Sequence, residues 1–165
     1  MAGAFAAALF LADQGTKYLV ARDLWPGRAV EVLPRFFNLV LCPNTGGVFG
    51  LLPARPLVFM LLSLVAVALL GYLFTRLEGK TAASLAAAAL LAGALGNLVD
   101  RFRFGYVVDF IDLHVGPWHW YVFNVADASI TVGALSLFVL TFIDERRKQR
   151  RAKTSSAPPE TPSDK

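Results

Sequence analysis

The chain has 165 residues, 56% of them apolar and 17% charged, against about 25% charged in an average soluble domain. That balance excludes an ordinary water-soluble domain, and the single cysteine, Cys42, excludes an internal disulfide scaffold. Most of the net charge of +4 belongs to one end: residues 144–165 hold seven of the sixteen Lys and Arg against four of the twelve Asp and Glu, so the basic excess marks a tail and not a nucleic-acid surface.

A bilayer core takes about 20 residues of helix at 1.5 Å rise per residue. Four stretches meet that length, near residues 2–20, 57–75, 82–99 and 121–143. The first opens MAGAFAAALF, with no basic n-region and no small-residue cleavage site after it, and reads as a retained helix, not a signal peptide. Asp13 and Lys17 lie on it four residues apart, acid first, the order that favours an ion pair. Pairing offsets an insertion cost of around 3 kcal/mol for a lone mid-helix Asp. The pair is either an insertion-tolerant bridge or a brace facing the bundle interior. The second stretch, PLVFMLLSLVAVALLGYLF, carries no charge, and in the Ala-rich third, Gly93 and Gly96 let a neighbouring helix approach closely.

The next segment, 100–112, carries Asp100, Asp109 and Asp112 with Arg101 and Arg103 among them. Asp109 sits in the apolar run VVDFI, whereas Asp112 precedes LHVG. In an extended strand residues three apart face opposite sides, so an inward Asp109 leaves Asp112 facing water. His114 and His119 read as interfacial alongside Trp118 and Trp120, an aromatic-belt pattern. In the fourth stretch Asp127 follows Asn124, about 9 Å inward from Tyr121 if the helix begins there. The nearest bases beyond it start at residue 146, so an ionised Asp127 needs a partner or a water-lined cavity, which makes it a functional candidate.

Lysine and arginine density sets the orientation. The 76–80 loop has two in five residues and 144–153 six in ten, while 21–56 has four in thirty-six and 100–120 two in twenty-one. The positive-inside rule places both termini and the 76–80 loop in the cytoplasm and both long loops outside. The run ERRKQRRAK is a topological anchor, and TSSAPPETPSDK has a disordered, dispensable composition. The predicted fold class is an all-α integral membrane protein with four transmembrane helices, one domain over 1–153 and a disordered cytoplasmic tail over 154–165.

Two carboxylates brought together cannot both ionise cheaply, so one holds a proton while the other stays charged, and the pair can activate water and protonate a leaving group. Asp109 and Asp127, both in apolar surroundings at the outer face, are the pair that suits peptide hydrolysis. The alternative is two separate structural acids capping helix or loop ends. Other hydrolase routes lack their residues: there is no H-E-x-x-H, no G-x-S-x-G and no histidine sharing a span with Ser63, Ser84, Ser129 or Ser136.

Five motifs in order resemble the lipoprotein signal peptidases of the bacterial signal peptidase II family. They are Asp13-Gln14-Gly15-Thr16-Lys17, Asn44-Thr45-Gly46-Gly47-Val48-Phe49-Gly50, Gly96-Asn97-Leu98-Val99-Asp100-Arg101, Val107-Val108-Asp109-Phe110-Ile111-Asp112 and Phe123-Asn124-Val125-Ala126-Asp127. The resemblance implies an aspartic endopeptidase of the inner membrane that uses no metal or other cofactor and removes the signal peptide of prolipoproteins before a diacylglyceryl-modified cysteine. It implies Asp109 and Asp127 as the catalytic dyad at the extracytoplasmic face. Asn44, Gly46, Asn97, Arg101 and Asn124 match substrate-binding positions, and Asp13, Lys17 and Asp100 match supporting ones. It also implies a small extracytoplasmic β-cradle and a short helix, which 21–56 is long enough to supply, with PRFFNLVLCPNTGGVFG reading as strand, turn, strand. Cys42 within it is an ordinary loop cysteine. Tyr121 stands where the family commonly has Pro.

The partners expected are the diacylated prolipoprotein and membrane lipids, with no nucleic acid and a monomeric enzyme. The rival reading is a proton-coupled membrane transporter, which calls for acids at several depths across the bilayer. Here the acids gather toward the outer half, and the second and third spans have none below Asn97.

Overall fold

A computed structural model of the chain describes residues 1–46, 55–77, 79 and 81–155. Its elements in order are α1 (Ala2–Asp23), β1 (Ala29–Leu33), β2 (Phe37–Asn44), α2 (Pro56–Arg76), α3 (Thr81–Phe104), β3 (Val107–Val115), β4 (Trp118–His119) and α4 (Val125–Ser155). Among the described residues three helices are long and apolar enough to cross a membrane, those over 57–76, 81–104 and 125–150. α1, at 22 residues, is about 33 Å long; it carries Asp13 and Lys17 on a buried stripe.

α3 is the centre of the bundle. In its apolar window 67% of the residues are buried inside the protein, whereas none of α2's is, so α2 turns its uncharged surface outward. The reason is side-chain size: of the thirteen buried residues of α3, six are alanine and two are glycine, Gly93 and Gly96, where helices meet. A Cβ on Gly93 would strike the Ala126 carbonyl oxygen and lie 2.8 Å from Ile130, and one on Gly96 would strike the Asp13 carboxylate. Across the same interface a Cβ on Gly133 of α4 would lie 2.7 Å from the Ala86 carbonyl oxygen. Small residues thus bring α1 and α4 close against α3, the packing that polar groups between helices need.

At one end of the bundle lies a four-stranded antiparallel sheet of order β1-β2-β3-β4. Of the strand, turn, strand expected over 34–50, the first strand is present as β2, while the end of that stretch at 47–50 lies outside the described residues; β2 pairs instead with β1 before it and with β3, the sheet's longest strand, in which Val107, Val108, Asp109 and Phe110 are all buried. α3 leads into it through Gly105, whose φ of 77° suits the left-handed turn that ends a helix and whose N–H bonds the Arg101 carbonyl.

Several expectations need correction. The fourth helix begins at Val125, not Tyr121. Phe123 instead exchanges backbone hydrogen bonds with Ile111, at 2.8 and 3.1 Å, so 121–123 are extended against β3. Asp127 therefore lies in the helix's first turn, not two turns deep. α4 continues through Ser155, so the basic run and the start of the expected tail are helical; residues 156–165 lie outside the described residues. No short helix appears among the described residues of 21–56, and the motif residues Gly47, Val48, Phe49 and Gly50 lie outside them. Asp112 does not face water: it is 5% exposed, held by Asn38 at 3.1 Å and His119 at 2.8 Å.

Candidate active site

The site grows from one ammonium group. Lys17 is 3% exposed, and its Nζ reaches Asp13 Oδ2 at 2.9 Å, Asp100 Oδ2 at 2.9 Å and Asn97 Oδ1 at 3.0 Å. Three hydrogens meet three acceptors, so no part of the charge is left unsatisfied. Each acceptor then fixes something else. Asp13 Oδ1 accepts the Ala126 N–H at 2.8 Å, tying α1 to the start of α4. Asp100 Oδ2 accepts the Val108 N–H at 3.1 Å, tying α3 to β3.

Asn97 carries the network to Asp127. Its carbonyl faces Lys17, which forces its amide to face the other way, and Nδ2 donates to Asp127 Oδ1 at 2.8 Å. Asn124, fully buried, joins the two candidate carboxylates. Its Oδ1 accepts the Asp127 N–H at 2.9 Å, while its own N–H reaches Asp127 Oδ2 at 3.3 Å, a reciprocal cap on the first turn of α4. Its Nδ2 donates to Asp109 Oδ1 at 2.6 Å and lies 3.2 Å from Asn97 Oδ1. The residue that starts α4 therefore fixes both acids relative to each other.

Asp109 is held from its other side by β2. Asn44 Nδ2 donates to Asp109 Oδ2 at 2.9 Å and also to the Tyr121 hydroxyl, and Asn44 Oδ1 accepts the Gly46 N–H at 3.0 Å. Register explains the meeting: β2 runs antiparallel to β3 with Cys42 opposite Asp109 and Asn44 opposite Val107. Burial, and then the charge of Asp127 nearby, push the Asp109 carboxyl up to about 7 against the two amide hydrogen bonds that pull it down. Asp112, by contrast, is held below its ordinary range: burial works against ionisation, but the hydrogen bonds from His119 and Asn38 outweigh it.

Arg101 donates to the Asn97 carbonyl at 3.2 Å and lies within electrostatic reach of Asp127, Asp109 and Asp100. A cavity of about 280 Å³ opens on Asp109, lined also by Asn44 and Gly46, and one of about 540 Å³ opens on Asp127, lined by apolar residues of α4.

Asp13, Lys17, Asn44, Gly46, Asn97, Asp100, Arg101, Asp109, Asn124 and Asp127 are thus one connected cluster at the sheet end of the bundle. Two further participants, Gln14 and Tyr121, had no site role in the sequence reading. Gln14 donates to Asp13 Oδ2 and Asp100 Oδ1, both at 3.1 Å, and to the Gly96 carbonyl at 3.2 Å; an amide beside a buried acid in an apolar helix was its signal. Tyr121, which bonds Asn44, gave no local signal for that role, because only the pairing of its segment with β3 brings it in. The serines of the helices are turned to their own backbone: Ser63, Ser84 and Ser129 each donate to a carbonyl three or four residues back. Among the described residues no group of three or more His, Cys, Asp or Glu is placed to hold a metal ion.

Comparison with known proteins bears on the family and the fold. The family model of signal peptidase (SPase) II matches residues 5–143. The lipoprotein signal peptidase of Burkholderia mallei (strain SAVP1) is 42% identical over 149 residues, covering 88% of this chain and 87% of the relative. That of Syntrophus aciditrophicus (strain SB) is 40% identical over 137 residues, covering 79% and 85%. Among solved structures, a bacterial membrane enzyme determined by the in meso method at 2.3 Å resolution superposes with a TM-score of 0.83 at 32% identity, over 89% of this chain and 90% of that one.

Proposed function

The chain belongs to the signal peptidase II family, a family of membrane proteases, and from that premise we propose that it removes signal peptides from diacylglyceryl-modified prolipoproteins with Asp109 and Asp127 as its catalytic pair. The observation that carries the proposal is Asn124, one buried side chain that hydrogen-bonds Asp109 and caps Asp127. Two acids locked to one residue share a desolvated space in which a single proton is best divided between them.

The reaction follows from that sharing. The ionised member of the pair takes a proton from a water molecule, whose oxygen attacks the scissile carbonyl carbon, while the protonated member gives its proton to the carbonyl oxygen. Collapse of the resulting gem-diol breaks the C–N bond: the acid that took the water's proton gives it to the departing amine, and the other acid takes back a proton from a diol hydroxyl as the carboxyl forms, so the pair again holds one proton. Asn97, Asn124, Asn44 and the Gly46 region hold the acids and supply polar contacts for an extended peptide, and Arg101 adds positive charge beside the developing oxyanion. The cofactor requirement is nil, since the two acids supply both proton transfers.

Placement supports the substrate. α1 is the fourth span, its two charges neutralised inside the bundle, and residues 1–153 form one domain with a cytoplasmic tail after it. The sheet and the acids sit at the extracytoplasmic face of the inner membrane, both termini in the cytoplasm. The scissile bond of a lipid-anchored precursor lies at that depth, with its acyl chains in the surrounding lipid and in the apolar cavity beside Asp127. One copy of the chain holds every residue of the cluster, in keeping with a monomeric enzyme.

A gel-shift assay of the purified protein with diacylated and unlipidated forms of one precursor tests this reading. Cleavage confined to the diacylated form is expected; equal cleavage of both would contradict the lipid-dependent mechanism.

A further inference from the structure

We propose that Tyr121 is a positioning residue for Asp109, acting through Asn44; the inference rests on the proteolytic reading above. Asn44 Nδ2 has two hydrogens, of which one goes to Asp109 Oδ2 at 2.9 Å and the other to the Tyr121 hydroxyl. Its Oδ1 takes the Gly46 N–H at 3.0 Å. The phenol is therefore the part of the amide's setting that comes from the segment between β4 and α4: Gly46 fixes the carbonyl, and Tyr121 fixes the direction of the second N–H, leaving the first one aimed at the carboxylate.

The position of Tyr121 follows from local backbone. Residues 121–123 are extended because Phe123 pairs with Ile111 of β3, and the Trp120 N–H bonds the Leu113 carbonyl at 2.7 Å. These bonds hold the phenol beside Asn44, and its ring lines both the cavity at Asp109 and the one at Asp127. A hydroxyl that accepts from Asn44 turns its own hydrogen elsewhere in this cleft, within electrostatic reach of both acids.

The wild-type protein, Tyr121→Phe and Asp109→Asn are compared in the same micelles. Phe keeps the ring and the walls of both cavities and removes only the oxygen, so the melting temperature and KM stay close to wild type while kcat falls about tenfold, the worth of one neutral hydrogen bond in rate. Independently of cleavage, the ionisation of Asp109, followed by infrared difference between wild-type and Asp109→Asn protein, moves to higher pH in Tyr121→Phe. A less firmly aimed Asn44 stabilises the charged carboxylate less; Asp127, Lys17, Arg101, Asn124 and Cys42, the other groups facing Asp109, are unchanged. An unmoved ionisation together with unchanged kcat would overturn the inference. Failure of the wild-type protein to cleave would instead overturn the proteolytic reading, and the infrared titration would still decide whether Tyr121 sets Asp109.

Discussion

Lys17 donates all three of its ammonium hydrogens inside the protein, to Asp13, Asp100 and Asn97, and through those acceptors it places Asp127, Asn124 and the starts of α4 and β3. Removing one member of a buried charge group leaves the rest uncompensated, at a cost of about 3–5 kcal/mol. Lys17→Met is therefore expected to lower the detergent melting temperature sharply, whereas Asp112→Asn, outside this network, leaves much of the activity. Asp109 titrates near 7, but near ~4 in an unfolded chain. Between those values the folded protein holds a proton that the unfolded chain has released, so stability falls as pH rises through that window, by up to about 1.4 kcal/mol per pH unit. Melts from about pH 5 to about pH 8 should show that slope in wild-type protein and a shallower one in Asp109→Asn. Activity should fall above about pH 7, as the pair loses the proton it shares. At this scale the sequence was informative wherever a charge stood in an apolar run, as at Asp13, Lys17 and Asp127. It misled at Asp112, because strand parity gives the face of a residue and not what covers it; Asn38 and His119 cover it from neighbouring strands.

The elements meet through missing side chains as much as through present ones. Gly93 packs against the Ala126 carbonyl at the turn of α4 that also carries Asp127, so a methyl there must displace the helix that bears an acid. Gly93→Ala is expected to cost about 1–3 kcal/mol of stability, as overpacking does, and to lower kcat more than its stability loss explains, checked by melting and kinetics on the same preparation. The close approach of helices at Gly93 and Gly96 was legible from small residues in an apolar run. The start of α4 was not. Tyr121, Val122 and Phe123 are as apolar as a helix start requires, and the pairing of Phe123 with Ile111 of β3 is what delays the helix to Val125. Likewise β3 could not be joined to β1 and β2 from sequence, because the 62 residues between Asn44 and Val107 include two long helices; non-local pairing leaves no periodic trace.

For the whole molecule, hydropathy and charge carried most of the architecture, since a bilayer restricts a chain to few solutions. The three apolar spans and the gathering of polar residues at one end follow from them, while the sheet that completes the site does not. If α1 is the fourth span, the α2–α3 turn and the β3–β4 turn lie on opposite sides of the membrane. Single cysteines at Gly79 and Gly116, both exposed, in a Cys42→Ser background should then label with a membrane-impermeant reagent from the cytoplasmic and the outer side respectively; labelling of both from one side would contradict that topology. The central claim is that Asp109 and Asp127 act together in cleavage. Its most direct test is the rate at which purified wild-type, Asp109→Asn and Asp127→Asn proteins cleave one diacylated precursor in the same micelles. The account predicts cleavage by the wild type and a loss of at least about 10³-fold in each variant, with the folded state retained; full activity in either variant would contradict it.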